Sequence, residues 1–327
     1  MLSMSTWLKN RLPGLLFLLF ALVSCDSSDT VPVQKVDSQD RLTEIELEQQ
    51  QKQELRPAHN TFRFGFDLRA SPQEDTAQYL PFLSYLEHAT GYRFKLCFTS
   101  KNSSVVEELG QHKIQFAAMG VVSFLQAQSR YGAISLVRGV NHMGRAEYQS
   151  VLVVAPNSRI RNINDVKGQR VAFGSRNSTQ GHLIPRIMLM DNGISLNDLR
   201  AYAYTGSHQN CAEAVVSGKY DVCGMQDQLA KKLAAQGQVK IIYTSAYYPS
   251  SGIVADNSVP ADVISRVKQA LLDFDPQAKD SQGLYHWDRT EMPQGFVDAR
   301  PSDYVVLRQW SNRLGFLKEN HSLEPAP

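Results

Sequence analysis

Short apolar runs alternate along the chain with segments whose apolar residues recur at helical spacing. Phe62-Arg-Phe-Gly-Phe66 alternates as a strand does, and Tyr79, Phe82, Leu83 and Leu86 then fall on one face of a helix over Asp75–Thr90, which Gly91 stops. There follow a strand over Arg93–Phe98, a helix over Ser103–Leu109, a strand over Ile114–Met119 and a helix opened by Gly120 that ends near Ser129. Repeated strand–helix units joined by short loops predict a mostly parallel sheet covered by helices.

The pattern restarts after Tyr148. Ser150–Ala155 is a nearly continuous apolar run, as a strand buried on both faces requires. Beyond a short helix and turn at Ile163–Gly168, strands are expected at Arg170–Phe173, Ala201–Tyr204, Asp221–Met225 and Val239–Tyr243. The intervening helices are expected at Leu183–Asn192, Gln209–Ser217 and Gln228–Ala235. Gly252–Ala255 reads as a return strand and Val259–Phe274 as an amphipathic helix, with two further helices to finish the chain. One sheet of this kind does not comfortably cover a globular stretch from Thr61 to Glu324. The expected architecture is therefore α/β with two lobes, each a mostly parallel sheet flanked by helices. Residues 61–149 with 250–327 make the first lobe and residues 150–249 the second. Two chain crossings make a hinge, and a ligand belongs in the cleft between the lobes.

The first residues do not fit this alternation. Lys9 and Arg11 precede an apolar run, Leu12–Val23, that is too short to span a bilayer as a mature anchor. It ends in Leu22-Val23-Ser24-Cys25, the pattern of a bacterial lipobox. Residues 1–24 are thus expected to be a lipoprotein signal peptide, with Cys25 acylated by fatty acid such as palmitate. Asp26 resembles the signal that retains a lipoprotein on the inner membrane, so the expected location is the periplasmic face of the cell membrane. Residues 25–60 read as a tether: Thr43–Leu55 is rich in helix formers but carries only a thin apolar stripe, and Pro57 ends it.

Charge narrows the partners. Lys and Arg total 34 against 32 Asp and Glu, and removing the signal takes away Lys9 and Arg11, leaving 32 against 32. A nucleic-acid binder would show a basic surplus or stripe, so no nucleic acid partner is expected. Cys97, Cys211 and Cys223 remain in a compartment that permits disulfides. Cys211 and Cys223 lie on a predicted helix and the strand after it and are able to pair, although sequence alone does not fix connectivity. No Cys/His cluster has metal spacing, and no nucleophile elbow, P-loop or carboxylate dyad stands out. Metal, cofactor and enzymatic activity are therefore not expected.

The chemistry concentrates at two strand-to-helix junctions. In Val171-Ala-Phe-Gly-Ser-Arg-Asn-Ser-Thr-Gln-Gly-His-Leu-Ile-Pro185 and in Thr205-Gly-Ser-His208, Gly and small hydroxyl residues sit where the first helical N–H groups lack partners. Free N–H groups and the positive end of a helix favour an oxyanion, and Ser or Thr hydroxyls add donors. Ser178 and Ser207 also read as ordinary helix N-caps. His182, beside the first junction, reads as a surface or capping residue. Arg69, at the end of the first strand, is within reach of an anion in the cleft.

The run Tyr148-Gln-Ser-Val-Leu-Val-Val, Ile163-Asn-Asp-Val-Lys-Gly-Gln-Arg-Val-Ala-Phe-Gly, Asn177-Ser-Thr-Gln-Gly-His-Leu-Ile-Pro-Arg, Thr205-Gly-Ser-His and Val215-Val-Ser-Gly-Lys-Tyr-Asp221 resembles the phosphate/phosphite/phosphonate-binding proteins of ABC transporters. The resemblance covers Phe62 to Phe274 and implies the two-lobed, hinge-closing periplasmic-binding-protein fold of type II. It implies that the second lobe offers Ser178, Thr179 and His208 to an oxyanion. The first lobe would offer residues near Asn102-Ser103-Ser104 and near Gly120-Val121-Val122-Ser123. Asp227, just past a strand end of the second lobe, is placed to accept from a protonated ligand oxygen or an ammonium group. Asn102 stands where the family often has Tyr, Gln115 where it usually has Asp, and Gly120-Val121 where it often has Gly-Pro, with Phe124 in the place of a nearby aromatic. The function so implied is that of a lipid-anchored, monomeric solute-binding protein. It would capture a small phosphorus oxyanion (phosphonate, phosphite or phosphate) for an ABC permease. The alternative is a receptor subunit on the same scaffold that signals to a membrane sensor kinase or cyclase.

Overall fold

The computed structural model describes residues 60–67, 72–100 and 103–318. The expected signal peptide, Cys25, Asp26 and the tether lie outside the described residues, as do Arg69 and Asn102.

The chain begins with strand β1 (Thr61–Phe66), helix Pro72–Thr90, β2 (Arg93–Leu96), helix Val105–Gly110, β3 (Phe116–Met119), helix Val121–Tyr131 and β4 (Ile134–Gly139). A two-residue strand β5 (Glu147–Tyr148) leads into β6 (Ser150–Val154), β7 (Arg170–Phe173), helix Ile184–Asp191, β8 (Ala201–Tyr204), helix His208–Val216, β9 (Val222–Gln226), helix Asp227–Ala235 and β10 (Lys240–Thr244). The return passes through β11 (Tyr248–Pro249) to β12 (Gly252–Ala255), helix Ala261–Leu272, β13 (Phe296–Asp298) and helix Val305–Arg313. No helix among the described residues is long and apolar enough to cross a membrane.

Two large sheets result, in the orders β13-β4-β12-β3-β1-β2 and β10-β6-β9-β7-β8. They are mixed, which corrects the expectation of mostly parallel sheets. β1 runs parallel to β2 and β3, and β7 parallel to β8 and β9, as strand–helix–strand units require. Into each set the chain then inserts a strand arriving from the other sheet. β12 lies antiparallel between β3 and β4, and β6 antiparallel between β9 and β10. Apolar periodicity shows that a strand is buried but not which way it runs, so this insertion leaves no trace in the pattern. β13, antiparallel to β4, stands where only helices were expected.

The two crossings pair with each other. β5 and β11 form an antiparallel ribbon with Tyr148 opposite Tyr248 and Glu147 opposite Pro249.

Aromatic residues fill the first sheet's outer core. Phe64 and Phe82 are fully buried, and Phe82 stacks on Trp287 with ring centroids 4.8 Å apart. Each such ring contributes about 1.5–3 kcal/mol by leaving water. A second apolar cluster is continuous from one sheet to the other: it holds Met119, Val122 and Phe124 together with Leu152, Phe173 and Phe316. In the second sheet, Cys211 and Cys223 form a disulfide with Cα atoms 5.7 Å apart, both residues fully buried. Cys97 is free.

Candidate functional site

Strand β7 ends at Phe173 and the chain turns into a helix through an unusual first turn. Residues Thr179–Leu183 form a π-type turn before the α-helix proper. Pro185 explains part of it. Proline has no N–H to give to the carbonyl four residues earlier, and that carbonyl, Gly181 O, instead accepts from Gly174 N–H at 2.9 Å. Ser178 caps the turn: its Oγ accepts from Gly181 N–H at 2.8 Å. Gly181 is needed for a second reason. A Cβ there would lie 2.9 Å from His208 Cε1 and 2.9 Å from Ser178 Oγ, so only glycine lets the imidazole lie over this turn.

His208 arrives from the next junction. Beyond β8, Thr205 Oγ1 donates to Phe173 O at 2.8 Å, and Ser207 Oγ caps Asn210 N–H at 3.0 Å, which makes His208 the first residue of its helix. The two helix starts of the second sheet therefore converge. For Ser178 and Ser207, capping and ligand binding do not compete. The oxygen accepts the helix N–H, and the hydroxyl hydrogen remains to be donated.

The first sheet meets them with the start of helix Val121–Tyr131. Gly120 N–H donates to Asp67 Oδ2 at 3.0 Å, and Val122 N–H donates to Thr179 Oγ1 at 3.0 Å. Thr179 thus joins the two halves. Between them lies a cavity of about 450 Å³. The second sheet's side is lined by Ser175, Asn177, Ser178, Thr179, Gln180, Gly206, Ser207, His208, Gln209 and Gln226. Opposite stand Asp67, Glu74, Asp75, Gln78, Tyr79, Gly120 and Ser123, with Arg289–Met292 from the C-terminal part and Tyr148 and Ser251 from the crossings. The charge is uneven: hydroxyls, amides and one imidazole on one wall face the carboxylates Asp67, Glu74, Asp75 and Glu291 on the other, where Arg289 Nη1 is 3.8 Å from Glu74 Oε1.

Of the residues expected at the site, Ser178, Thr179, His208 and Ser123 line the cavity. Val121 and Val122 are buried at the helix start, where only their main chain is of use to a ligand. Ser103 and Ser104 are elsewhere, at the N-terminus of helix Val105–Gly110. Ser104 Oγ there caps Glu107 N–H at 3.2 Å, and Glu108 Oε1 accepts from Ser100 N–H and Oγ at 2.8 and 2.6 Å. Asp227 does not line the main cavity. It follows Gln226 at the end of β9, and since successive residues of a strand point to opposite sides, Gln226 takes the cavity. Asp227 Oδ2 accepts from Lys231 Nζ at 2.7 Å beside a small side pocket.

His182 is a correction. Expected at the surface or as a cap, it is fully buried among Phe173, Tyr204 and Phe316, with Nδ1 2.7 Å from Arg176 O. The cavity residues that sequence reasoning missed are chiefly Asp67, Asp75, Arg289 and Glu291. Asp67 had a positional signal, since it directly follows a strand whose neighbours are parallel and ligands gather at the carboxyl ends of such strands. Arg289 and Glu291 sit in a stretch with no periodic pattern.

Residues 64–304 match the family model described as ABC transporter, phosphonate, periplasmic substrate-binding protein. The chain is 28% identical to the phosphonates-binding periplasmic protein of Escherichia coli K12 over 215 residues, which are 61% of this chain and 63% of that protein. It is 25% identical to the phosphate-import protein PhnD of Mycolicibacterium smegmatis over 266 residues, 74% of this chain and 83% of the relative. Among solved structures, PhnD1 from Prochlorococcus marinus in complex with methylphosphonate superposes with a TM-score of 0.69 at 18% identity, covering 79% of this chain and 99% of that one. A binding protein component of a phosphonate ABC transporter from Pseudomonas aeruginosa does so at 0.66 and 21% identity, covering 77% and 85%. The fold is that of the type II periplasmic binding proteins, and the chain belongs to the family of periplasmic phosphonate substrate-binding proteins of ABC transporters.

Proposed function

We propose that this protein captures a small phosphorus oxyanion of the phosphonate class in the cavity between its two sheets and delivers it to the permease of an ABC importer. The observation that carries this reading is the convergence of three helix starts on one cavity. They are those capped by Ser178 and Ser207 on one sheet and the one following Gly120 on the other. Main-chain N–H groups, hydroxyls and a helix's positive end suit an oxyanion, and each hydrogen bond to a charged group contributes about 1.5–3 kcal/mol. In the ligand set, Ser178, Thr179 and His208 hold the oxyanion from the second lobe, and Ser123 with the main-chain N–H of Val121 holds it from the first. The lobes are residues 61–149 with 250–327 and residues 150–249, hinged at the β5–β11 ribbon.

Thermal unfolding in the presence of methylphosphonate, phosphite, phosphate and sulfate tests the binding function. A ligand that binds only the folded protein, at a thousand times its Kd, adds about 4 kcal/mol of stability and raises the melting temperature. No shift with any phosphorus probe would overturn the reading. In the same proposal Cys25 carries the lipid that holds the protein at the membrane. Cys25→Ser should move the protein from washed membranes to the soluble fraction, and retention of the variant in the membranes would refute the anchor.

A further inference from the structure

We propose that Gln180 is a positioning residue that fastens the ligand-binding turn to the hinge, so that an oxyanion seated on that turn acts on both chain crossings at once. This rests on the oxyanion-binding and hinge readings above and deepens them.

Two local demands create the link. In a π-type turn each carbonyl is met by the N–H five residues on, and Ile184 N–H goes to Thr179 O. The next donor in that series belongs to Pro185, which has none, so Gln180 O needs a partner from elsewhere. Ser150 has the complementary need. It opens the apolar run of β6 on the face that also carries Leu152 and Val154, and it is fully buried, so its hydroxyl must find an acceptor. Ser150 Oγ donates to Gln180 O at 2.6 Å and lies 3.1 Å from Met225 O, near the end of β9. The hydroxyl thus holds the turn between Thr179 and Gly181 against the first residue of β6.

The side chain of Gln180 makes a second attachment. Its Nε2 donates to Gln149 O at 2.9 Å, and Gln149 joins the crossing strand β5 to β6. From there the bonds continue to the other crossing. Gln149 Nε2 donates to Ser245 O at 2.7 Å, Ser150 N–H to Ser245 Oγ at 2.9 Å, and Ser245 N–H to Ser150 O at 2.9 Å. Ser245 Oγ in turn donates to Ala246 O at 2.6 Å, two residues before β11. Gln180, Ser150 and Ser245 are all buried, where a hydrogen bond is stronger than in water and costly to leave unmade.

The other end of the ribbon is fixed to the first sheet. Arg138 Nη1 donates to Ala146 O at 2.6 Å, Asn141 Nδ2 to Glu147 O at 2.7 Å and Ser250 Oγ to Gly139 O at 2.6 Å. Bending is thereby confined to the few residues between the two sets of bonds, around Tyr148 and Tyr247–Pro249. Gln180 lines the cavity beside Thr179. A ligand that draws this turn toward the first sheet therefore moves both crossings with it.

A double-mutant cycle tests the link. Gln180→Met keeps the length of the side chain without its donor, and Ser245→Ala removes a hydroxyl that does not line the cavity. Methylphosphonate is titrated calorimetrically into the wild type, both single variants and the double variant. Ser245→Ala should bind about fivefold more weakly than the wild type, the size of effect that a coupled residue without ligand contact produces. Gln180→Met should lose about tenfold, and the double variant also about tenfold, not the product of about fiftyfold that independent sites would give. Urea titration of the same proteins reads stability separately, since a merely structural loss lowers the midpoint and leaves the Kd of the folded protein unchanged. Ser150→Ala replaces Gln180→Met, and Gln149→Met replaces Ser245→Ala, if either variant does not fold. Unchanged affinity at the Ser245 position, or effects that multiply in the double variant, overturns the coupling; the oxyanion function survives either result. A wild type that binds neither methylphosphonate nor phosphate overturns both proposals.

Discussion

Thr179 is the side chain on which the two halves of the cleft meet. Its hydroxyl oxygen accepts from Val122 N–H across the cavity, and Ser178 beside it caps the turn that places both. Under the proposed ligand set, replacing both by Ala removes two hydroxyls from the charged ligand. Binding of methylphosphonate should weaken by about 3–6 kcal/mol, as two lost hydrogen bonds to a charged group. Folding should lose about 1 kcal/mol for the helix cap at Ser178 and about 1 kcal/mol more for the Val122 N–H bond to Thr179. Calorimetry and urea titration on the double variant read both quantities, and unchanged affinity would remove these residues from the site. This much was legible in the sequence, because Ser, Thr and Gly at a helix start have a local chemical reason to be there. Asp67 carried only the signal of its position after a strand, since its contact is with Gly120, far off in sequence. Asp227 stands just outside the main cavity for a related reason. One residue of phase at the end of β9 decides which side chain enters the cavity, and sequence boundaries are not that sharp.

At the scale of elements, the second sheet is tied together by bonds between neighbouring connections. Arg170 Nη2 and Nε approach the Asp221 carboxylate at 2.7 and 2.9 Å, joining the start of β7 to the turn before β9. The Arg170 side chain holds the Asp221 carboxyl below its ordinary range, chiefly through that hydrogen bond. The Asp198 carboxyl is brought down to about 2 by the Ser195 hydroxyl and N–H and then by Lys167. A carboxylate depressed in the folded state adds stability above its unfolded pKa, and that stability is lost as pH falls through the folded value. The urea midpoint should therefore drop as pH falls from about 4 toward about 2. Asp198→Asn should make that decline shallower, and an identical decline in the variant would show that Asp198 contributes nothing to it. The Cys211–Cys223 bridge spans a separation of 12 residues on the same sheet. Closing so short a loop restrains the unfolded chain by about 3 kcal/mol in the chain-entropy model. Cys211→Ala/Cys223→Ala should lose about that much in urea titration under oxidising conditions. The strands and helices of this sheet were readable from periodicity. The pairing of β6 between β9 and β10 was not, because direction and neighbour are properties of the whole sheet.

For the molecule as a whole, the contact that sequence hid best is the one made by its C-terminal segment. Beyond Phe274 the sequence pattern predicts two further helices and nothing of what they touch. Phe316 is fully buried, its carbonyl accepts from Gln126 Nε2 at 2.8 Å, and its ring lies 4.6 Å from that of His182. Gln126 belongs to a helix of the first sheet and His182 to the π turn of the second, and Gln126 Nε2 also reaches Asn177 Oδ1 at 3.3 Å. Phe316 thus bridges the same two elements that Thr179 bridges inside the cavity. Periodicity reports what one helix buries, whereas this contact depends on three distant segments. The consequence is testable through closure. A ligand touching both walls stabilises the closed arrangement only by its difference in affinity for closed and open forms. Small-angle scattering should show the wild type becoming more compact when methylphosphonate is added. Phe316→Ala removes the outer bridge but no group that touches ligand. It should make the unliganded protein more expanded than the wild type and weaken binding, while saturating methylphosphonate restores the same compact form. Tight binding with no compaction in either protein would place recognition on one wall alone and refute closure about the β5–β11 ribbon.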